Sequence, residues 1–231
     1  MEKRPKKTLA RTLVCGIFCT KLAVIVTLFA PFFLTVSQIS KKPDTKSAQT
    51  ITQAQQASEK PASRELVKIY SIVKAHRPDV SDDEAWEVAQ VILEESARHK
   101  LDALLISALI QVESGFQYAA VSPSGARGLM QIMPDTGRAL THALRHEIGL
   151  RPAAFRPEWL DDPFVNIRLG VYYLHDLKKQ FHDWRLALSA YNFGPAEIQS
   201  RLENNVEFSS EFAGIVLAAY RNYLNTKQPS F

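Results

Sequence analysis

Past residue 63 the apolar residues of this chain recur at three- and four-residue spacing, and no stretch alternates strictly between apolar and polar. That period lines up one face of a helix and does not suit a half-buried strand. The segments "RELVKIYSIVKAHR", "AWEVAQVILEESARHK" and "ALLISALIQVE" carry it first, and it returns around 164–181, 184–192 and 211–224. Start signals stand where the pattern needs them: Ser63, Ser81 with Glu84 in capping-box spacing, Asp102 and Asp183. Gly and Pro punctuate at "SPSGARG", "MPDTG", "GLRP", "FRPEW" and "NFGP", and no internal repeat is evident. The expectation is an all-α globular domain over 63–231, long enough for one good core.

The N-terminus is of another kind. Residues 1–39 hold a basic start, "MEKRPKKTLAR", and an apolar stretch at 13–36 interrupted by Lys21 and Pro31. A membrane-spanning helix needs about 20 residues, so a single-pass anchor fits, with Lys21 reaching toward the basic side. No Ala-x-Ala-like site follows Val36, although a cleaved signal peptide and secretion remain the alternative. The excess of Lys and Arg ahead of the stretch puts the N-terminus inside. Either route carries the body out of the cytoplasm, to the periplasmic side of an inner-membrane anchor in the first case. Residues 40–62, "SKKPDTKSAQTITQAQQASEKPA", are too polar to bury a core and read as a tether.

Charge follows the same division. Residues 1–60 carry ten Lys and Arg against three Asp and Glu, whereas the rest carries 18 against 21. The basicity belongs to the N-terminus, and no nucleic-acid surface is expected on the body. Both cysteines, Cys15 and Cys19, lie in the apolar stretch, so the body has no disulfide framework.

Within the helical body, "QVESGF" (111–116) places a carboxylate where the pattern asks for an apolar side chain. On a helix, Glu113 shares a face with Ile106, Leu109 and Ile110, and Gly115 is positioned to stop the helix in a left-handed turn. Burial and the unpaired carbonyls of a last turn both favour the protonated carboxyl. A general acid must hold its proton near neutral pH, and this placement helps it do so. A rim glutamate reaching out to water is the plain alternative from this stretch alone. Downstream, "AVSPSGARGLMQIMP" (120–134) is a Gly-, Ser- and Pro-rich loop with backbone open to close approach at Gly125 and Gly128. Met130 and Met133 read by default as core packing. "ALSAYNFGP" (187–195) ends a helix with Tyr191 and Asn192.

Together and in this order these blocks resemble the lytic transglycosylases with a soluble lytic transglycosylase (SLT) domain. The resemblance rests on Glu113-Ser114-Gly115-Phe116, Ser122, the run Gly125 to Pro134, Asp162-Pro163, Asn166-Ile167, Gly170, Tyr173-Leu174, and Ala190-Tyr191-Asn192 with Gly194-Pro195. It covers about residues 97–220. It implies a lysozyme-like helical fold and cleavage of the β-1,4 bond between N-acetylmuramic acid and N-acetylglucosamine in peptidoglycan strands, leaving a 1,6-anhydro sugar. Glu113 is then the single acid and base, since the substrate's own 6-hydroxyl attacks. Ordinary glycosidases need a second carboxylate. The resemblance places Ser122, Gln131, Met133, Tyr191 and Asn192 at the substrate, with Tyr191 near enough to orient Glu113. Two departures stand out: Phe193, where many members have a small residue, and Phe212, where tyrosine is frequent. Residues 141–160 match no block and are expected to be a loop elaboration over the cleft.

His142 and His146 stand four apart with Glu147 adjacent, a spacing that can bind zinc, but no third ligand matches. A solvated helix face accounts for them, and neither metal nor cofactor is expected. "SIVK" (71–74) has Ser-x-x-Lys spacing without a Lys-Thr-Gly partner. Arg127 reads as a surface loop residue, and Phe155 and Trp159 as filling for their loop or as stacking groups. Two alternatives to transglycosylation stay open: a hydrolytic muramidase on the same fold, and a glycan-binding or scaffold module without activity. The expected partners are glycan strands, the membrane through the N-terminus, and a secretion or appendage machine.

Overall fold

The computed structural model describes residues 64–145 and 154–226, all within one unit that spans 45–231. Helices account for most of them: α1 (64–76), α2 (Asp82–His99), α3 (Ala103–Ser114), α4 (Pro134–Ala143), α5 (Pro163–Phe181), α6 (Trp184–Phe193), α7 (Pro195–Glu203) and α8 (Glu211–Asn225). A 3₁₀ turn, Pro157–Asp161, precedes α5. The described residues hold no strand beyond two isolated bridges, Val121 with Arg127 and Arg127 with Ile132. The expected all-α class is what forms.

The anticipated caps are present. Ser81 accepts a hydrogen bond from the Glu84 amide, and Asp102 accepts one from Leu104 N at 2.8 Å. Asp183 accepts from Leu186 N at 3.0 Å. Each occupies an amide that the first helical turn leaves unpaired. Ser63 and the N-terminal segments 1–39 and 40–62 lie outside the described residues, as does His146. Among the described residues no helix is long and apolar enough to cross a membrane.

Two helices depart from expectation. "MPDTG" and "NFGP" read as punctuation, yet Pro134 and Pro195 open α4 and α7. Proline suits the first helical turn, where its missing N–H would have had no partner. The same residue type thus starts these helices rather than merely ending their predecessors.

α3 lies at the centre. Every residue from Ala103 to Ile110 is buried, so this helix is apolar all round rather than along a stripe. Ile106, Leu109 and Ile110 are fully enclosed, each contributing about 1.5–3 kcal/mol of burial. α2 and α8 pack directly on α3, while α5 packs on α2 and α6. The Tyr220 hydroxyl of α8 donates to Asp102 Oδ2 at 2.6 Å and pins the start of α3. The polar end of this buried helix is where Glu113 emerges.

Candidate active site

Gly115 caps α3 in the left-handed conformation, φ 58°, as the sequence implied. Glu113 sits in the last turn before it, half-buried. Burial alone pushes its carboxyl up from 4.5 to about 8. The cause is loss of water rather than a neighbouring charge, so the group stays protonated through neutral pH.

The loop at 120–133 is bolted beside it. Ser114 Oγ donates to Leu129 O at 2.8 Å, joining the α3 terminus to the loop. Asn166 of α5 is wholly buried and satisfies three backbone groups: Oδ1 accepts from Met130 N at 2.7 Å, and Nδ2 donates to Arg127 O at 2.9 Å and Leu160 O at 2.8 Å. The fit leaves no room at Gly128, where φ is +77° and a Cβ would stand 2.0 Å from Leu160 O. At Gly170 a Cβ would meet Met130 Sδ at 2.4 Å, so α5 needs glycine there to seat the fully buried Met130.

Tyr191 closes the arrangement from α6. Its hydroxyl donates to Met130 O at 2.8 Å, and its ring lies 5.2 Å from that of Tyr173. Burial holds its pKa well above the usual value, and the Glu113 charge pushes in the same direction. Tyr191 therefore remains a neutral donor near the glutamate. Its proton is directed to the Met130 carbonyl; among the described residues no side-chain donor to the Glu113 carboxylate forms.

A cavity of about 190 Å3 opens at Gln131, Ile132, Met133, Thr136, Tyr173, Tyr191, Asn192, Phe193 and Gly194. Four of the residues singled out from sequence meet there: Gln131, Met133, Tyr191 and Asn192. Glu113 is not on this wall; Tyr191 is what the carboxyl and the cavity share. Ser122 is not on the wall either. Its hydroxyl accepts from Ala126 N at 3.0 Å and pairs with Ser124 Oγ at 3.1 Å, closing the turn at Gly125. Gln131 Nε2 is likewise engaged within the loop, at Ala120 O (3.1 Å) and Gly128 O (2.9 Å), which leaves its side-chain oxygen for a ligand.

Two expectations need correction. Met133 is 43% exposed and not core, because it precedes α4 at the cavity edge. Arg127 is not a free surface residue: Nε donates to Asp161 Oδ1 at 3.0 Å and Nη2 to Oδ2, tying the loop to the 3₁₀ turn. Within 141–160, Phe155 and Trp159 pack edge to face at 6.0 Å, and Phe155 presses on Gly137 of α4. They fill the space between α4 and the turn; residues 146–153 lie outside the described residues.

Tyr173, Thr136 and Gly194 complete the cavity without having been singled out for it. Tyr173 had a signal: Asn166, Gly170 and Tyr173 fall at i, i+4 and i+7 on one face of α5. Phe193, noted as a departure, is 46% exposed at the cavity edge. Phe212 is half-buried and packs against the core.

The family model for the Transglycosylase SLT domain matches residues 90–211. Soluble lytic murein transglycosylase of Escherichia coli is 38% identical over 99 residues, 42% of this chain and 15% of that protein. Membrane-bound lytic murein transglycosylase C of Haemophilus influenzae is 33% identical over 123 residues, 50% of this chain and 33% of that protein. An inactive mutant of the lytic transglycosylase Slt from Pseudomonas aeruginosa has a similar fold, with a TM-score of 0.51 at 30% identity, over 61% of this chain and 25% of that one. The match thus spans a third or less of the length of these relatives.

Proposed function

The chain belongs to the Transglycosylase SLT family, and on that footing we propose that it is a peptidoglycan lytic transglycosylase with Glu113 as its single acid and base. The observation that carries the reading is the seat of Glu113 in the last turn of α3, where Ser114 ties the helix to the loop at 120–133 and burial pushes the carboxyl up to about 8. A protonated carboxyl can give its proton to the glycosidic oxygen between N-acetylmuramic acid and N-acetylglucosamine as the C1–O bond breaks. Positive charge then develops at C1 of the muramic residue. The carboxylate left behind removes the proton of that sugar's 6-hydroxyl while O6 bonds to C1. The product is a 1,6-anhydro sugar, and Glu113 is again protonated.

Burial alone, with no neighbouring charge, shifts the Glu113 carboxyl, which fits a reaction that uses one carboxylate rather than a coupled pair. Gln131, Asn192 and Tyr173 offer polar atoms suited to a neutral sugar, and Met133 and Phe193 offer apolar surface. Ser122 and Asn166 act through the loop they shape. The same reading puts the enzyme in the cell envelope, held by residues 13–36 as a membrane anchor and working on the wall or for a secretion or appendage machine.

The direct test is Glu113→Gln assayed on purified cell wall. The amide keeps the shape but its N–H groups are too weakly acidic to protonate the leaving oxygen, so turbidity loss should fall by at least about a thousandfold. Unchanged lysis would remove Glu113 from the reaction.

A further inference from the structure

Resting on Glu113 as the acid, we propose that Arg77 and His76, together with Tyr223, form a clamp that positions Glu113 from outside the matched family region. Arg77 and His76 precede residue 90 and Tyr223 follows residue 211, the limits of that match. Arg77 and His76 contact the turn that ends α3, and Tyr223 reaches it through His76.

That turn needs holding. Gly115 and Phe116 are consecutive left-handed residues, with φ of 58° and 65°. Glycine accepts this freely, but for a phenylalanine it costs on the order of 1–3 kcal/mol unless its surroundings impose it. Arg77 Nη1 donates to Phe116 O at 3.0 Å. The guanidinium is itself fixed on two sides: Nε and Nη2 donate to Asp79 at 2.8 and 2.7 Å, and its carbon lies 4.6 Å from the Tyr118 ring centre. Its side chain is 14% exposed.

His76 grips the other part of the same residue. Its ring stacks on the fully buried Phe116 ring at 5.2 Å and 23°, and Nε2 stands 3.0 Å from Tyr223 Oη of α8. Burial depresses the His76 pKa, which keeps the imidazole neutral on that face. Phe116 is thus held at its carbonyl by the segment after α1 and at its ring by α1, with α8 behind the imidazole. On the opposite side Ser114 ties α3 to Leu129. Glu113 lies next to Ser114 and three residues before Phe116, so both anchors fix where its carboxyl sits. The charged and titratable groups facing the clamp are Asp79, Glu84, Tyr118 and Tyr223; Tyr191 faces Glu113, with Tyr173 beyond it.

The experiment uses the full chain with Arg77→Ala, Arg77→Lys and Tyr223→Phe. It combines wall-lysis kinetics with 13C NMR titration of the Glu113 carboxyl. With the clamp released, the turn relaxes and water reaches the carboxyl. In Arg77→Ala the Glu113 midpoint should fall from about 8 by about a unit or more. kcat should drop by about tenfold to a hundredfold, with KM changing by less than about twofold. Arg77→Lys restores a donor for the Phe116 carbonyl and should recover part of both, and Tyr223→Phe should shift both slightly in the same sense. A folded Arg77→Ala with unaltered kcat and Glu113 titration overturns the clamp. So does a lower kcat with the titration unmoved, which would make Arg77 a stabilising residue only. If Arg77→Ala does not fold, Tyr223→Phe decides by the same two readouts: a shift supports the clamp and none overturns it. Should Glu113→Gln keep full activity, the acid assignment fails, yet the titration still decides whether the clamp holds the carboxyl.

Discussion

The Glu113 carboxyl makes the folded state depend on pH in a way that opposes its own use. Its pKa is about 8 folded against an ordinary 4.5, so between those values the folded chain holds a proton that the unfolded chain releases. Stability therefore falls as pH rises through that window, by a few kcal/mol at most for this one group. Glu113→Gln removes the effect. In urea unfolding at pH 9 the variant should be more stable than the parent by on the order of a few kcal/mol, and the gap should close below about pH 4.5. Equal stability at both pH values would mean that the carboxyl is well hydrated. The sequence pointed to Glu113 because a carboxylate interrupted an apolar face just before Gly115. It did not disclose that Ser122 closes its own turn, because a hydroxyl that accepts from Ala126 N and one that faces a ligand have the same local sequence. Nor did it disclose the bond from Arg127 to Asp161, which joins residues 34 apart in sequence.

Among the elements, the loop at 120–133 depends on α5 more than on itself. Asn166→Ala would strip partners from Met130 N and Leu160 O, both buried, and from the partly buried Arg127 O. The expected loss is about 2–4 kcal/mol, with a loss of wall lysis as the loop releases Tyr191. Asp162→Ala four residues earlier removes an exposed cap from Phe164 and Val165 and should cost about 1 kcal/mol. Chemical denaturation of both variants checks the contrast, and equal losses would contradict it. Helices α2, α3 and α6 were legible from an apolar run with a capping side chain in front, and α5 and α8 from their apolar period. α4 and α7 are short, begin at proline, and bury only three residues and one residue respectively, so their pattern was too sparse to separate from a turn. The 3₁₀ turn had no periodic signal at all, since Leu160 is its only buried residue.

For the whole molecule, the division of charge and apolar residues separates a basic N-terminus from a helical body, and family membership belongs to the body. The body adds helix α1 and the first part of α2 ahead of the matched region and the greater part of α8 after it. His76 and Arg77 hold the turn behind Glu113, and Tyr223 of α8 stands against His76. The all-α class followed from period alone, because helical spacing needs no knowledge of partners. The cavity did not, because its wall gathers residues from the loop, α4, α5 and α6. If the Glu113 carboxyl works with the substrate's own hydroxyl, the products record it directly. Purified wall digested by the full chain, with Glu113→Gln as control, should be analysed by mass spectrometry of the released muropeptides. The expected products are muramic ends one water lighter than hydrolysed ends, absent from the control digest; reducing muramic ends alone would contradict intramolecular attack and indicate that water attacks instead.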